Sequence, residues 1–390
     1  MKSVSIDSDI VRAEESSGRR GLRGSLARLA SRLLLSDYFV FYLTVAYFIL
    51  LLPFLPTLSN PANLSNILSN TWPLLVVAIG QTFVLTIAGI DLSQGSVVGL
   101  SSTVGGILIA TAATDTVLGN APVWGLLIGE GGGALAGLPG SIYLGIAAML
   151  MIGILIGSIN GAAIAYLKMP PFMVTLVSMI VFSALAIYLT QSENVSNLPD
   201  GFVALGKGDI VSVYLGAKET ANIPRRQIYS LVTYPMVIAI VTALAAHVLL
   251  SFTVFGRYVY AVGRNRDAAE ISGVPVKRVI MLVFVISAVC ATIGSILYSA
   301  RLEAGRPTLG EGNFLLDVIG ATVIGGTSLF GGKGKIIWTF FGVLFFVLLS
   351  NSLNLMNLSS FHIDMVKGAV ILAAALLDVA RTRLMQGRLA

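Results

Sequence analysis

The chain has 390 residues, of which 56% are hydrophobic and 11% charged, with a net charge of +6 and a mean hydropathy of +0.88. A soluble protein carries about 25% charged residues, so this chain cannot cover its surface with polar groups and reads as a polytopic membrane protein. The length suits about ten helices of roughly 20 residues each plus connections, which leaves no room for a sizeable soluble enzyme.

The N-terminal residues 1–37 form a basic tail that is expected on the cytoplasmic side. Within it, residues 19–35 place Leu22, Leu26, Leu29 and Leu33 on one helical face and arginines around the other, the pattern of an interfacial amphipathic helix. A basic tail that serves only topology is the other reading. No secretory signal is expected, because the first apolar stretch begins only near Tyr38 and no small-residue cleavage site follows it.

Apolar runs of spanning length follow at about 38–58, 72–90, 95–113, 142–166, 171–190, 232–252, 279–300, 314–330, 337–356 and 363–380. With the N-terminus inside, 18 of the 25 Lys and Arg fall in inside segments and six outside, which supports ten spans with both termini cytoplasmic. Residues 38–381 then form one transmembrane domain and 382–390 a cytoplasmic tail. The basic residues are scattered over loops, so the bilayer is the expected partner and nucleic acid is not.

In the second run Asp91 has no basic neighbour in sequence, and Asp364 is the one other acidic residue read near a span core. A carboxylate there is costly unless it is paired, solvated or hydrogen-bonded. Asp91 with Ser93 fits a structural cap on the next helix, with proton coupling as the alternative. Residues 114–141 are rich in glycine and read as a re-entrant turn or a flexible external loop. Gly153, Gly157 and Gly161 share one face of the fourth span and permit close helix contact, and Asn160 beside them bonds a neighbouring helix or a polar substrate. Residues 191–231 form the largest external segment.

The stretch 256–278 is a charged island between two long apolar runs, on the cytoplasmic side by the charge count, and such a loop needs a partner. Residues 320–335 superficially suggest a phosphate loop. However, Gly326 is followed by Thr-Ser-Leu-Phe and then Gly331-Gly332-Lys333-Gly334, so the Walker spacing and its terminal hydroxyl both fail. The glycines suit a broken helix near a substrate path instead. Cys290 is the single cysteine and His247 and His362 lie far apart, so no metal site is expected. No Ser-His-Asp constellation or catalytic carboxylate pair appears in a span, which excludes an intramembrane enzyme.

Taken together, GIDLSQGSVVGL (89–100), GSINGAAIAYLKMPPFMVTL (157–176), FGRYVYAVGRNRDAAEISGVPVKR (255–278), GATVIGGTSLFGGKGK (320–335) and NSLNLMNL (351–358) resemble a known family. It is that of the membrane permease subunits of ribose/xylose-type ABC importers, within the broader branched-chain amino acid/sugar permease superfamily. The resemblance covers roughly residues 38–381, with 114–141 and 191–231 looking like expansions. It implies an all-α, type II-like permease in the bacterial cytoplasmic membrane that imports a monosaccharide or related polyol. A second permease copy or homologue, cytoplasmic ATP-binding subunits and a periplasmic or extracellular sugar-binding protein are the implied partners. ATP and Mg would sit on the ATPase chain and no cofactor on this one.

On that reading Arg264, Asn265, Asp267, Ala268, Ala269, Glu270 and Gly273 form the ATPase-coupling segment, with Asp267 to Gly273 similar to a divergent Glu-Ala-Ala…Gly signature. The two alanines would permit close docking and Gly273 the turn that follows. Gln81, Asn160, Thr327, Ser328, Asn351 and Asn354 are the polar candidates for the translocation path, and each equally suits an interhelical hydrogen bond. A branched-chain amino acid permease and a stand-alone secondary transporter are the competing functions.

Overall fold

The computed structural model describes residues 36, 38–214 and 228–386, and the amphipathic segment at 19–35 and the last four residues lie outside that range. Helices dominate the described residues, but they are not the whole fold: two short antiparallel hairpins, Ile128–Gly129 with Gly132–Gly133 and Asp209–Tyr214 with Ile228–Thr233, correct the all-α expectation.

Each expected apolar run is built around a helix, but several limits move. The first run gives α1 (Phe39–Leu51), only 13 residues long, because Pro53 and a 3-10 turn at Pro56–Ser59 interrupt it. The second run belongs to α2 (Pro61–Thr86), which starts well before the apolar stretch. Asn60 caps it by accepting the N–H of Ala62, and Pro61 occupies the first turn, where its missing N–H costs nothing. This polar first third is held from α11 (Val276–Leu302), where Arg301 donates to the Ser69 carbonyl and to Asn70 Oδ1, both at 2.8 Å.

The chain then turns back through Ala88, at φ 59°, and re-enters as the short helix α3 (Gln94–Ile109). Residues 114–141, expected as a re-entrant turn or a flexible external loop, form a turn-rich unit with helix α4 (Asp115–Leu118) and the first hairpin. It is tied to the far end of α3 by Gly133 N to Ala110 O and Leu135 N to Leu108 O, and Leu118, Val123 and Ile128 bury their side chains beside Ile107. Helices α5 (Ser141–Ala165) and α6 (Pro171–Thr190) match the fourth and fifth runs closely. The large external segment supplies α7 (Asp200–Lys207) and the second hairpin, whose connection at 215–227 lies outside the described residues.

Helix α8 (Tyr234–Phe252) leads into the charged island, which is two further helices, α9 (Val254–Arg264) and α10 (Arg266–Ile271), before α11 begins. Helix α12 (Phe314–Gly325), α13 (Ile336–Leu355) and α14 (Ser360–Gln386) complete the order, so α14 runs into the expected C-terminal tail.

Among the described residues, six helices (α2, α5, α6, α8, α11 and α13) are long and apolar enough to cross a membrane, and α1, α3 and α12 are shorter apolar helices. Burial separates centre from rim: 83% of the most apolar part of α2 is enclosed and 67% of those of α11 and α13, against 22–28% in α5, α6 and α8. The glycine face of α5 packs on α11. A Cβ at Gly157 would lie 2.8 Å from the Phe284 carbonyl oxygen and from Val285 Cα, and one at Gly161 would lie 2.9 Å from Met281 Cα.

One acidic residue was missed at the sequence level. Asp317 of α12 pairs with Lys367 of α14, Nζ to Oδ2 at 2.9 Å, so Asp364 is not the one other carboxylate beside Asp91 in the apolar runs. The two partners are 50 positions apart in sequence, and nothing local marks them as a pair. Pairing is what lets each charge be partly buried there.

Candidate coupling surface and polar core

The α9–α10 pair is built by two caps in succession. Thr253 accepts the N–H of Gly256 at 3.2 Å to start α9, and Asn265 accepts the N–H of Ala268 at 2.9 Å to start α10. Because Asn265 is extended, the chain bends there between α9 and α10. Gly273 then takes φ 81°, a left-handed conformation that glycine adopts without steric cost, and opens the return into α11.

The expected coupling residues are therefore together, but they do not share one surface. Arg264, Asn265, Asp267, Ala268, Glu270 and Gly273 are exposed, whereas Ala269 is only 5% exposed and packs into the chain's own core. Of the two alanines, only Ala268 can meet another molecule. The residue missed by sequence reasoning is Ile271, an aliphatic side chain left 89% exposed at the end of α10. An apolar residue inside a charged island was the available signal. Beside α10 runs an open groove of about 600 Å³, walled in part by Arg257, Arg264, Asn265, Ala268 and Ser272.

Deeper in the bundle, Asp91, Ser93 and Asn160 form one network, and the expected side-chain cap is not made, because Ser93 is itself the N-cap residue of α3 and caps no N–H of it. Asp91 Oδ1 accepts from the Ser93 N–H at 2.9 Å and from Ser93 Oγ at 2.6 Å, while Oδ2 accepts from Ser287 Oγ at 2.7 Å. Asn160 Nδ2 donates to Ser93 Oγ and Gln94 Nε2 to Ser287 Oγ, both at 2.9 Å, and Ser178 donates to Asn160 Oδ1. Both carboxylate oxygens act as acceptors in this network. The start of α3 follows immediately, so its dipole adds a favourable field. Ser178, Ser287 and Gln94 come from α6, α11 and α3 and carried no local signal.

The other path candidates fall into three groups. Asn351 exchanges two amide hydrogen bonds with Asn63, at 2.9 and 3.0 Å, and its side chain is thereby occupied. Asn354 is exposed at the end of α13 and donates to the Ser350 carbonyl, while Ser328 Oγ accepts the N–H of Phe330. Gln81 and Thr327 are fully buried, and neither the Gln81 amide nor the Thr327 hydroxyl has a hydrogen-bond partner among the described residues. Buried polar atoms are satisfied in the large majority of proteins, so these two retain unused bonding capacity.

The family described as the branched-chain amino acid transport system / permease component matches residues 63–375. Among curated proteins, the chain is 31% identical over 327 residues to the ribose import permease protein RbsC of Haemophilus influenzae, covering 83% of this chain and 87% of that protein. It is 34% identical over 325 residues to RbsC of Bacillus subtilis, covering 83% and 86%. With the xylose transport system permease protein XylH of Escherichia coli it shares 32% identity over 364 residues, covering 82% of this chain and 86% of that protein. No solved structure matches. With four-fifths of its length matched, most of a bundle of membrane-length helices, this chain belongs to the branched-chain amino acid transport system / permease component family.

Proposed function

We propose that the protein is the membrane-spanning permease subunit of an ATP-driven, binding-protein-dependent importer of a monosaccharide. The observation that carries this reading is the similarity over more than four-fifths of the chain to permeases named for ribose and xylose. On this reading α1, α3, α12 and α14 join the six long apolar helices to make ten spans in a bacterial cytoplasmic membrane, with both termini inside. ATP is hydrolysed on separate cytoplasmic subunits, with its Mg. The exposed face of α10, with Ile271, Ala268, Asp267 and Glu270, meets a groove on that ATPase. A second permease completes the path, and a sugar-binding protein outside delivers the substrate. Among the path candidates, Gln81 and Thr327 have hydrogen-bonding capacity left for a sugar hydroxyl or a water that moves with it.

A branched-chain amino acid is the second substrate reading, favoured by the description of the matching family. Proteoliposomes holding the permease, its ATPase and its binding protein separate the two. ATP inside the ATPase-facing compartment is expected to drive uptake of labelled ribose, xylose or a related sugar and not of leucine. Leucine uptake without sugar uptake would replace the sugar reading, and proton-driven uptake without the ATPase would overturn both.

A further inference from the structure

The glycines of the 326–335 loop, which suit a broken helix near a substrate path, also permit a close approach of backbones. Three segments meet at that loop almost without side chains between them. The first is the end of α2, the second the end of α9, and the third the loop joining α12 to α13. The Thr86 carbonyl at the end of α2 accepts the N–H of Gly332 at 2.8 Å. The same carbonyl oxygen would lie 1.8 Å from a Cβ on Gly263 of α9, and the Gly332 nitrogen 2.7 Å from it. Such distances are closer than any side chain tolerates, so only glycine permits this approach.

The contact is clasped from the other side as well. A Cβ on Gly331, at φ 83°, would lie 2.6 Å from the Gly263 carbonyl oxygen and 2.7 Å from the Ala88 Cβ. One on Gly332, at φ 70°, would lie 2.7 Å from Arg264 Cγ. Tyr260 of α9 closes the arrangement by donating its hydroxyl to the Gly334 carbonyl at 2.7 Å. Burial pushes the Tyr260 hydroxyl above its ordinary value, so it stays protonated and able to donate near neutral pH.

We propose that the Gly263–Gly332 contact with the Tyr260–Gly334 hydrogen bond is a transmission joint through which displacement of α9–α10 reaches α2 and the α12–α13 pair. The joint rests on the permease reading above and deepens it. Backbone touching backbone has no soft side chain to absorb a shift, so a movement at the joint is passed on and not dissipated. The joint also connects two places where helices are interrupted, the turn at Ala88 before α3 and the loop before α13. Tyr260, Gly263 and Gly332 are positioning residues on this account, since they act through the helices they hold.

The test uses the whole transporter in proteoliposomes, with sugar uptake and ATP hydrolysis measured on the same preparation. Wild-type uptake must be seen first, so failure of the permease reading is recognised before the joint is tested. Tyr260→Phe removes one hydrogen bond and keeps the ring, and Gly332→Ala wedges the joint. Each is expected to lower the sugar transported per ATP hydrolysed, by about tenfold for Gly332→Ala and less for Tyr260→Phe, the range of ordinary coupling energies. The ATPase should still co-purify with both variants. If Gly332→Ala does not assemble, Tyr260→Phe decides alone. A transport-to-hydrolysis ratio equal to wild type, whether both rates are normal or both fall together, would overturn the proposal.

Discussion

Asp91→Ala is expected to be among the most damaging single changes to this protein's stability. The carboxylate is the common acceptor for the Ser93 N–H, the Ser93 hydroxyl and the Ser287 hydroxyl, all buried in the bundle. Removing it leaves those buried donors without their acceptor. Each buried donor left unsatisfied costs about 1–3 kcal/mol, and the losses overlap, so a net cost of about 3 kcal/mol follows. Asp91→Asn should cost about 1 kcal/mol, because its carbonyl keeps the Ser93 donors and Ser287 can rotate its hydroxyl to accept. Thermal unfolding of the detergent-solubilised protein, followed by loss of the monodisperse peak, orders the three proteins. An Asp91→Ala variant as stable as wild type would mean that the donors find other partners.

Gly157→Leu is expected to have a comparable effect by a steric route. The α5–α11 contact is set by how closely two backbones approach, and in a membrane that approach is itself the source of helix affinity. A Cβ at 2.8 Å from Val285 Cα already requires a shift, and an isobutyl group requires the helices to separate. Overpacking of this kind costs about 1–3 kcal/mol and occasionally more, with Leu at the upper end and Gly157→Ala near the lower. The same unfolding assay reads it. Moving the substitution to the exposed Ile154 of α5 as Ile154→Leu should change nothing measurable.

Both predictions rest on features only partly visible in the sequence. The glycine spacing at 153, 157 and 161 announces a close-packed face, and α11 proves to be the partner. Asp91 announces an unusual carboxylate, but its partner Ser287, and Asn160 that donates to Ser93, lie far along the chain and in other helices. Hydropathy finds long apolar runs because lipid demands them, which is why α5 and α6 are placed within a residue or so. It misses the start of α2, where Asn63, Asn66 and Asn70 are polar yet helical because Asn351 and Arg301 satisfy them from other segments.

Position 269 shows the limit of motif reasoning. The pair Ala268-Ala269 invites a single docking role, but a short helix lying on a bundle has two faces, and consecutive residues point about 100° apart. Ala269 therefore goes inward and Ala268 outward. The same geometry throws Ile271 into solvent, where an exposed aliphatic side chain among charges has the form of an interface anchor. The Gly-rich loop at 326–335 teaches a related lesson. Its glycines are legible in sequence, but what requires them is the approach of Gly263 and Thr86 from two other segments.

The central claim is that energy enters this chain from an ATPase docked on α10. The single cysteine, Cys290, is buried, so one introduced cysteine can be labelled without background. Ile271→Cys, carrying a thiol-linked photoreactive group, is to be irradiated in the assembled transporter, with Lys168→Cys on the neighbouring exposed loop as the control. The account predicts a strong cross-link from position 271 to the ATPase whose yield changes when ATP is bound, and a weak one from position 168. No cross-link from position 271 in a transporter that still takes up sugar would contradict it.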